Sequence, residues 1–113
     1  MAIELDSQAN ERGIQLSFDF DPTVLAFEGP SNIGVNPSIT AGRGAPSGTT
    51  VTANTRYASS GQISLVIDAP TAFEAGTREM VRISFRIKGA TETGTTDITF
   101  ADMPTNRLVA LAN

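Results

Sequence analysis

Hydrophobic and polar residues alternate with a period of two along much of the chain. In residues 13–20, Ile14, Leu16, Phe18 and Phe20 fall on one side and Gln15, Ser17 and Asp19 on the other. That is the pattern of a half-buried strand, because successive side chains of a strand point to opposite faces. Asp21-Pro22 ends it, since proline has no ladder N–H and restricts the residue before it. A shorter strand follows at 24–28, with Leu25 and Phe27 on one side. Residues 62–68 alternate again with Ile63, Leu65 and Ile67 inward. The strongest run is 79–88, where Val81, Ile83, Phe85 and Ile87 face the core and Arg82, Ser84, Arg86 and Lys88 face water. Short strands are expected at 3–6, 49–56, 97–101 and 107–111.

Gly and Pro clusters punctuate these runs, at 29–30, 42–48, 60–61, 69–70, 76 and 94. Several short strands at near-regular spacing predict a sandwich or barrel. Helix is almost absent: PTAFEAG (residues 70–76) has room for one turn, and Gly76 stops it. Residues 29–48 are the least regular stretch. A structureless loop of that length is unusual in a compact domain, so a short edge strand is expected near 35–40.

The chain has 113 residues, enough for one domain over 1–113 with a single core. Eight Lys+Arg against twelve Asp+Glu leave a net charge of −4, which argues against a nucleic-acid or anionic-membrane binder. Without Cys there are no disulfides, thiolate metal sites or Cys nucleophiles. Without His the commonest general base near neutral pH is gone. No run approaches the ~20 apolar residues of a membrane span, and Met1-Ala2 leads straight into an alternating stretch, with no signal peptide. Thr-rich, Lys-poor, Cys-free composition fits a bacterial extracellular module, and the chain reads as a piece of a longer protein.

Four segments, in order, carry a family resemblance. GIQLSFDFDPTVLAFEG (13–29) resembles the cohesin pattern of an alternating strand, an aromatic-Asp-Pro turn and a "VL" strand. GQISLVIDAPTAFEAG (61–76), MVRISFRIKG (80–89) and GTTDITFADMP (94–104) resemble the cohesin strands that follow. The resemblance covers residues 3–112 and implies an all-β, antiparallel β-sandwich of cohesin-like jelly-roll topology, related to modules of non-cellulosomal bacterial surface proteins. It also implies that one or both terminal strands are lacking. In dockerin-binding cohesins, polar side chains on the strand matching 13–20 contact the dockerin. Here the matching positions are Gly13 and Gln15, where an Asn/Asp pair would be typical.

The cohesin-like arrangement places the strands at 13–20, 49–56, 62–68 and 97–101 in one sheet. Its outward residues would be Gln15, Ser17, Thr52, Asn54, Gln62, Ser64, Val66 and Thr99, a flat uncharged face for a protein partner. The inward set would be Ile3, Leu5, Ile14, Leu16, Phe18, Phe20, Leu25, Phe27, Val51, Ile63, Leu65, Ile67, Val81, Ile83, Phe85, Ile87, Ile98 and Phe100.

The chemistry-bearing residues support little else. Asp19 and Asp21 flank Phe20 and could form a carboxylate pair, but an acid before proline is better read as a turn acid. No catalytic residue and no cofactor is expected. Calcium is a minor alternative, with Asp97 and Asp102 near one end of the sandwich, because calcium needs several clustered oxygens and the acids are scattered. The glycines at 42–48 lack the Lys-Ser/Thr of a phosphate loop. The stripe Arg82, Arg86, Lys88 reads as an outward charged face.

The favoured function is a non-enzymatic extracellular interaction, scaffolding or spacer module, contacting a protein partner or neighbouring domains. The rival reading is a carbohydrate-binding module using Tyr57 and Phe73, although Phe73 is better read as tucked under its loop, plugging one end of the core. Unpaired strand edges would invite an edge-to-edge homodimer or be closed by the terminal segments.

Overall fold

The computed structural model describes residues 1–88, 98–101 and 108–111. In chain order the strands are β1 (Ala2–Ser7), β2 (Glu11–Asp19), β3 (Leu25–Phe27), β4 (Ile33–Gly34), β5 (Ile39–Ala41), β6 (Thr50–Asn54), β7 (Gln62–Asp68), β8 (Gly76–Ile83), β9 (Phe85–Ile87), β10 (Thr99–Ala101) and β11 (Leu108–Leu111). Among the described residues a single 3-10 turn spans Ala58–Ser60.

The strands form two antiparallel layers and a small appended pair. One layer has the order β1-β8-β5, the other β10-β2-β7-β6-β4, and β3 pairs with β9. β10 and β11 lie in line along the same edge of β2, Thr99 opposite Asp19 and Leu108 opposite Gln15. The expected sharing of one sheet by the strands near 13–20, 49–56, 62–68 and 97–101 holds.

Period-two alternation makes the core. Ile14, Leu16 and Phe18 of β2 pair with Ile67, Leu65 and Ile63 of β7, and all six are buried. Facing them are Ile3, Val81, Ile83 and Ile39 of the other layer. Met80 is buried beside Val81 although strict alternation would expose one of them. The reason is a register shift: Ile3 pairs with Val81 and Glu4 with Glu79, so Met80 has no opposite residue and both neighbours turn inward. Phe85 closes one end of the core, with its ring 5.0 Å from Phe20, 6.5 Å from Phe18 and 6.2 Å from Phe27.

Three residues expected in the core are exposed: Ile87, Ile98 and Phe100. Phe100 sits opposite the fully buried Phe18, so its face is the one predicted. Its strand, however, has a partner on one side alone among the described residues, and the ring is 49% exposed. Ile87 lies in the β3–β9 pair, where Leu25 is its cross-strand neighbour and no second layer covers it among the described residues. The run 79–88 is accordingly two strands, broken at Ser84, whose N–H donates to the Ser38 carbonyl at 2.9 Å.

Residues 29–48 hold two short strands where one was expected near 35–40. β4 pairs with β6 and β5 with β8, so this stretch carries the chain from one layer to the other. Two buried polar residues hold the crossing. The Asn36 amide donates to the Pro30 carbonyl at 2.9 Å and its Oδ1 accepts from Ser38 N–H at 3.0 Å. The Thr55 hydroxyl donates to Pro30 at 2.7 Å and accepts from Asn32 N–H at 2.9 Å. Backbone groups that would otherwise be stranded are thereby satisfied.

Candidate functional site

The eight face residues predicted from the sequence lie on strands of one sheet, and the registers arrange them in cross-strand rows. One row runs Leu108, Gln15, Val66, Thr52. The next runs Ala101, Ser17, Ser64, Asn54, Ile33. A third runs Thr99, Asp19, Gln62. Neighbours within a row have their side chains on the same face.

Burial divides these residues. Thr52, Val66 and Thr99 are exposed, and Gln15, Asn54 and Gln62 are partly exposed. Ser17 and Ser64, directly opposite one another, are buried. Gln15 and Asp19, both longer, flank Ser17 along β2. The accessible surface is therefore two rows of longer side chains with a sunken serine pair between them.

Ile33, Ala101, Leu108 and Asp19 belong to these rows but not to the eight predicted residues. Leu108 is 60% exposed and stands across Gln15 from Val66, itself 44% exposed. The strand at 107–111 was legible, but which strand it pairs with depends on register and left no local signal. Asp19 belongs to the third row, and its Oδ1 is buried without a hydrogen-bond partner among the described residues. An unmatched buried carboxylate oxygen is costly unless something else supplies a donor.

The other candidates are placed elsewhere. Asp21 is a turn acid: its Oδ1 accepts from the Thr23 hydroxyl at 2.6 Å and the Thr23 N–H at 2.9 Å. These bonds hold its carboxyl below the usual aspartate range. Arg82 is 2.8 Å from Glu79, and Arg86 pairs with Glu28, so that basic stripe is largely engaged within the chain. Asp97 and Asp102, the suggested calcium ligands, lie outside the described residues. Among the described residues no three acids gather as a metal site would require.

Tyr57 is 48% exposed, whereas Phe73 is 1% exposed and part of the core. Phe73 is unavailable to a sugar because its loop folds inward: its N–H donates to the Glu11 carbonyl at 2.8 Å, and its own carbonyl accepts from the Ser7 hydroxyl at 3.3 Å. The two aromatics form no platform.

No curated protein and no solved structure matches the chain. The family model of the cohesin domain matches residues 2–108, nearly the whole chain. That match agrees with the two antiparallel layers and with the order of the strand motifs. The chain belongs to the cohesin-domain family.

Proposed function

We propose that this domain docks a protein partner through the outer face of the β10-β2-β7-β6 layer, centred on Gln15, Val66 and Leu108. Cohesin domains are non-catalytic protein–protein interaction modules, and membership of that family supports this reading. The observation that carries the choice of face is the pair of exposed aliphatic side chains on either side of Gln15 in a row of otherwise small or polar residues. A face with an aliphatic centre and one acid, Asp19, in its outer row suits a partner helix or strand that buries its own apolar side chain there. The remaining accessible members of the docking surface are Thr52, Asn54, Gln62 and Thr99, while Ser17 and Ser64 lie sunken beneath it.

The setting we favour is extracellular, as a scaffolding or spacer module of a larger bacterial surface protein. Cys-free, Thr-rich composition supports it, and no helix among the described residues is long and apolar enough to cross a membrane. A dockerin module or a neighbouring module is the partner to test. Amide shifts along Gln15, Val66, Asn54 and Thr99 on titration, abolished by Val66→Asp, are the expected result. Shifts confined to the Arg82–Arg86 face would overturn the choice of surface. A carbohydrate-binding module is the rival class and retains Tyr57 alone, so sugar titrations watched at Tyr57 should be silent.

A homodimer is a second reading, favoured by one feature. All four residues of β11 are exposed, three of them large and apolar, and none is charged. Natural edge strands usually carry charge or proline against such pairing. Concentration-dependent light scattering that shows a dimer, lost in Val109→Lys, supports edge pairing. A monomer at every concentration excludes it.

A further inference from the structure

A groove of about 330 Å³ opens where β3, the turn at Ala58–Ser60 and the end of β9 meet. Its floor is aliphatic: Leu25, Ala26 and Ala58, with the half-buried ring of Phe27. Arg56 and Lys88 line it, from segments more than thirty residues apart in sequence. In a chain of net charge −4, two cations at one groove run against the average.

Both backbones are anchored. The Lys88 N–H donates to the Val24 carbonyl at 2.8 Å, and the Arg56 N–H donates to Asn54 Oδ1 at 3.1 Å. The adjoining Thr55 is tied to Pro30 and Asn32. Two acids stand next in sequence to lining residues, and one of them, Asp21, already draws on Lys88. Glu28 pairs with Arg86, and Asp21 accepts two bonds from Thr23 while also feeling Lys88. The ion pairs among the described residues use Arg78, Arg82 and Arg86, and none uses Arg56. Ser31 and Ser59 add hydroxyls to the lining.

We infer that this groove binds an acidic peptide segment, with a carboxylate on Arg56 and Lys88 and aliphatic carbons on the Leu25–Phe27 floor. Arginine favours carboxylates because its planar fork can donate two parallel hydrogen bonds. A peptide fits better than an acidic sugar because the lining has one aromatic ring, Phe27, and that ring is half-buried. The site is separate from the Gln15–Val66–Leu108 row.

The test is an amide-shift titration with two hexapeptides, one alternating Glu and Leu, the other alternating Gln and Leu. The Glu peptide should shift Ser31, Arg56, Ser59 and Lys88 saturably, and the Gln peptide much less. Arg56→Ala and Lys88→Ala, both at exposed positions, should each weaken it about three- to fivefold. Salt near 1 M, where the screening length is about 3 Å, should weaken it further. Val66→Asp should leave this titration unchanged, so the result is independent of the docking-face reading. Equal binding of the two peptides, or no movement of these four amides at millimolar peptide, overturns the inference.

Discussion

Val66 and Ile67 are adjacent in β7 and have opposite fates: Val66 is 44% exposed across from Gln15, and Ile67 is fully buried across from Ile14. Val66→Thr keeps the β-branched shape and should change unfolding free energy by no more than about 0.5 kcal/mol. Ile67→Ala should cost about 2–5 kcal/mol through lost burial and a residual cavity. Urea denaturation of both variants checks this, and similar losses would mean that the outer face is not a free surface.

Phe73 carries a second prediction. As a core residue, its replacement by Ala should destabilise the fold by about 3–5 kcal/mol. A variant of unchanged stability would place the ring outside the core and revive it as a ligand contact.

Gly61 is bound by the backbone around it. Its φ is +83°, and a Cβ there would lie 2.2 Å from the Phe20 carbonyl oxygen. The Phe20 N–H in turn donates to the Gly61 carbonyl at 2.9 Å. Gly61→Ala should therefore cost at least about 2 kcal/mol, strain and clash together. A thermal midpoint equal to that of the parent would contradict this backbone geometry.

Acid should loosen the corner between β1 and β2. The Glu11 carboxylate accepts from Gln8 N–H at 2.9 Å, the Ser7 hydroxyl at 2.9 Å and Asn10 N–H at 3.2 Å. The Gln8 bond leads in lowering its pKa, against the opposing effect of burial. A carboxyl whose pKa is lower folded than unfolded leaves the unfolded chain holding more protons. The stabilisation is thus present above the unfolded value, about 4.3, and fades as pH falls through the folded one. Glu79 and Asp21 shift in the same direction. Stability measured from pH 7 to pH 3 should fall, and Glu11→Gln should flatten that fall. An equally steep profile in the variant would remove Glu11 as its source.

Much of the fold was legible because a strand's alternation is written in consecutive residues. Ile14, Leu16 and Phe18, and Ile63, Leu65 and Ile67, were assigned inward from local pattern alone, and they are buried. The candidate face was legible in the same way, as the complementary set, once the family likeness grouped the strands. Leu108 was missed because its place beside Gln15 depends on register. Phe73 was left between two roles because a loop residue has no periodic neighbours to fix its direction.

The sequence by itself determined which way most strand side chains point, Met80 at the register shift excepted, together with the two-layer class, the family likeness, and the absence of His and Cys chemistry. Tertiary structure decided how deep each residue lies. Phe100 and Phe18 share a face, yet one is exposed and the other sealed, because β10 is at a sheet edge and β2 in the interior. The crossing of residues 29–48 between layers, the inward turn of Phe73 and the meeting of Arg56 with Lys88 were likewise set there. Depth and long-range proximity depend on what packs alongside, and a period of two carries no information about that.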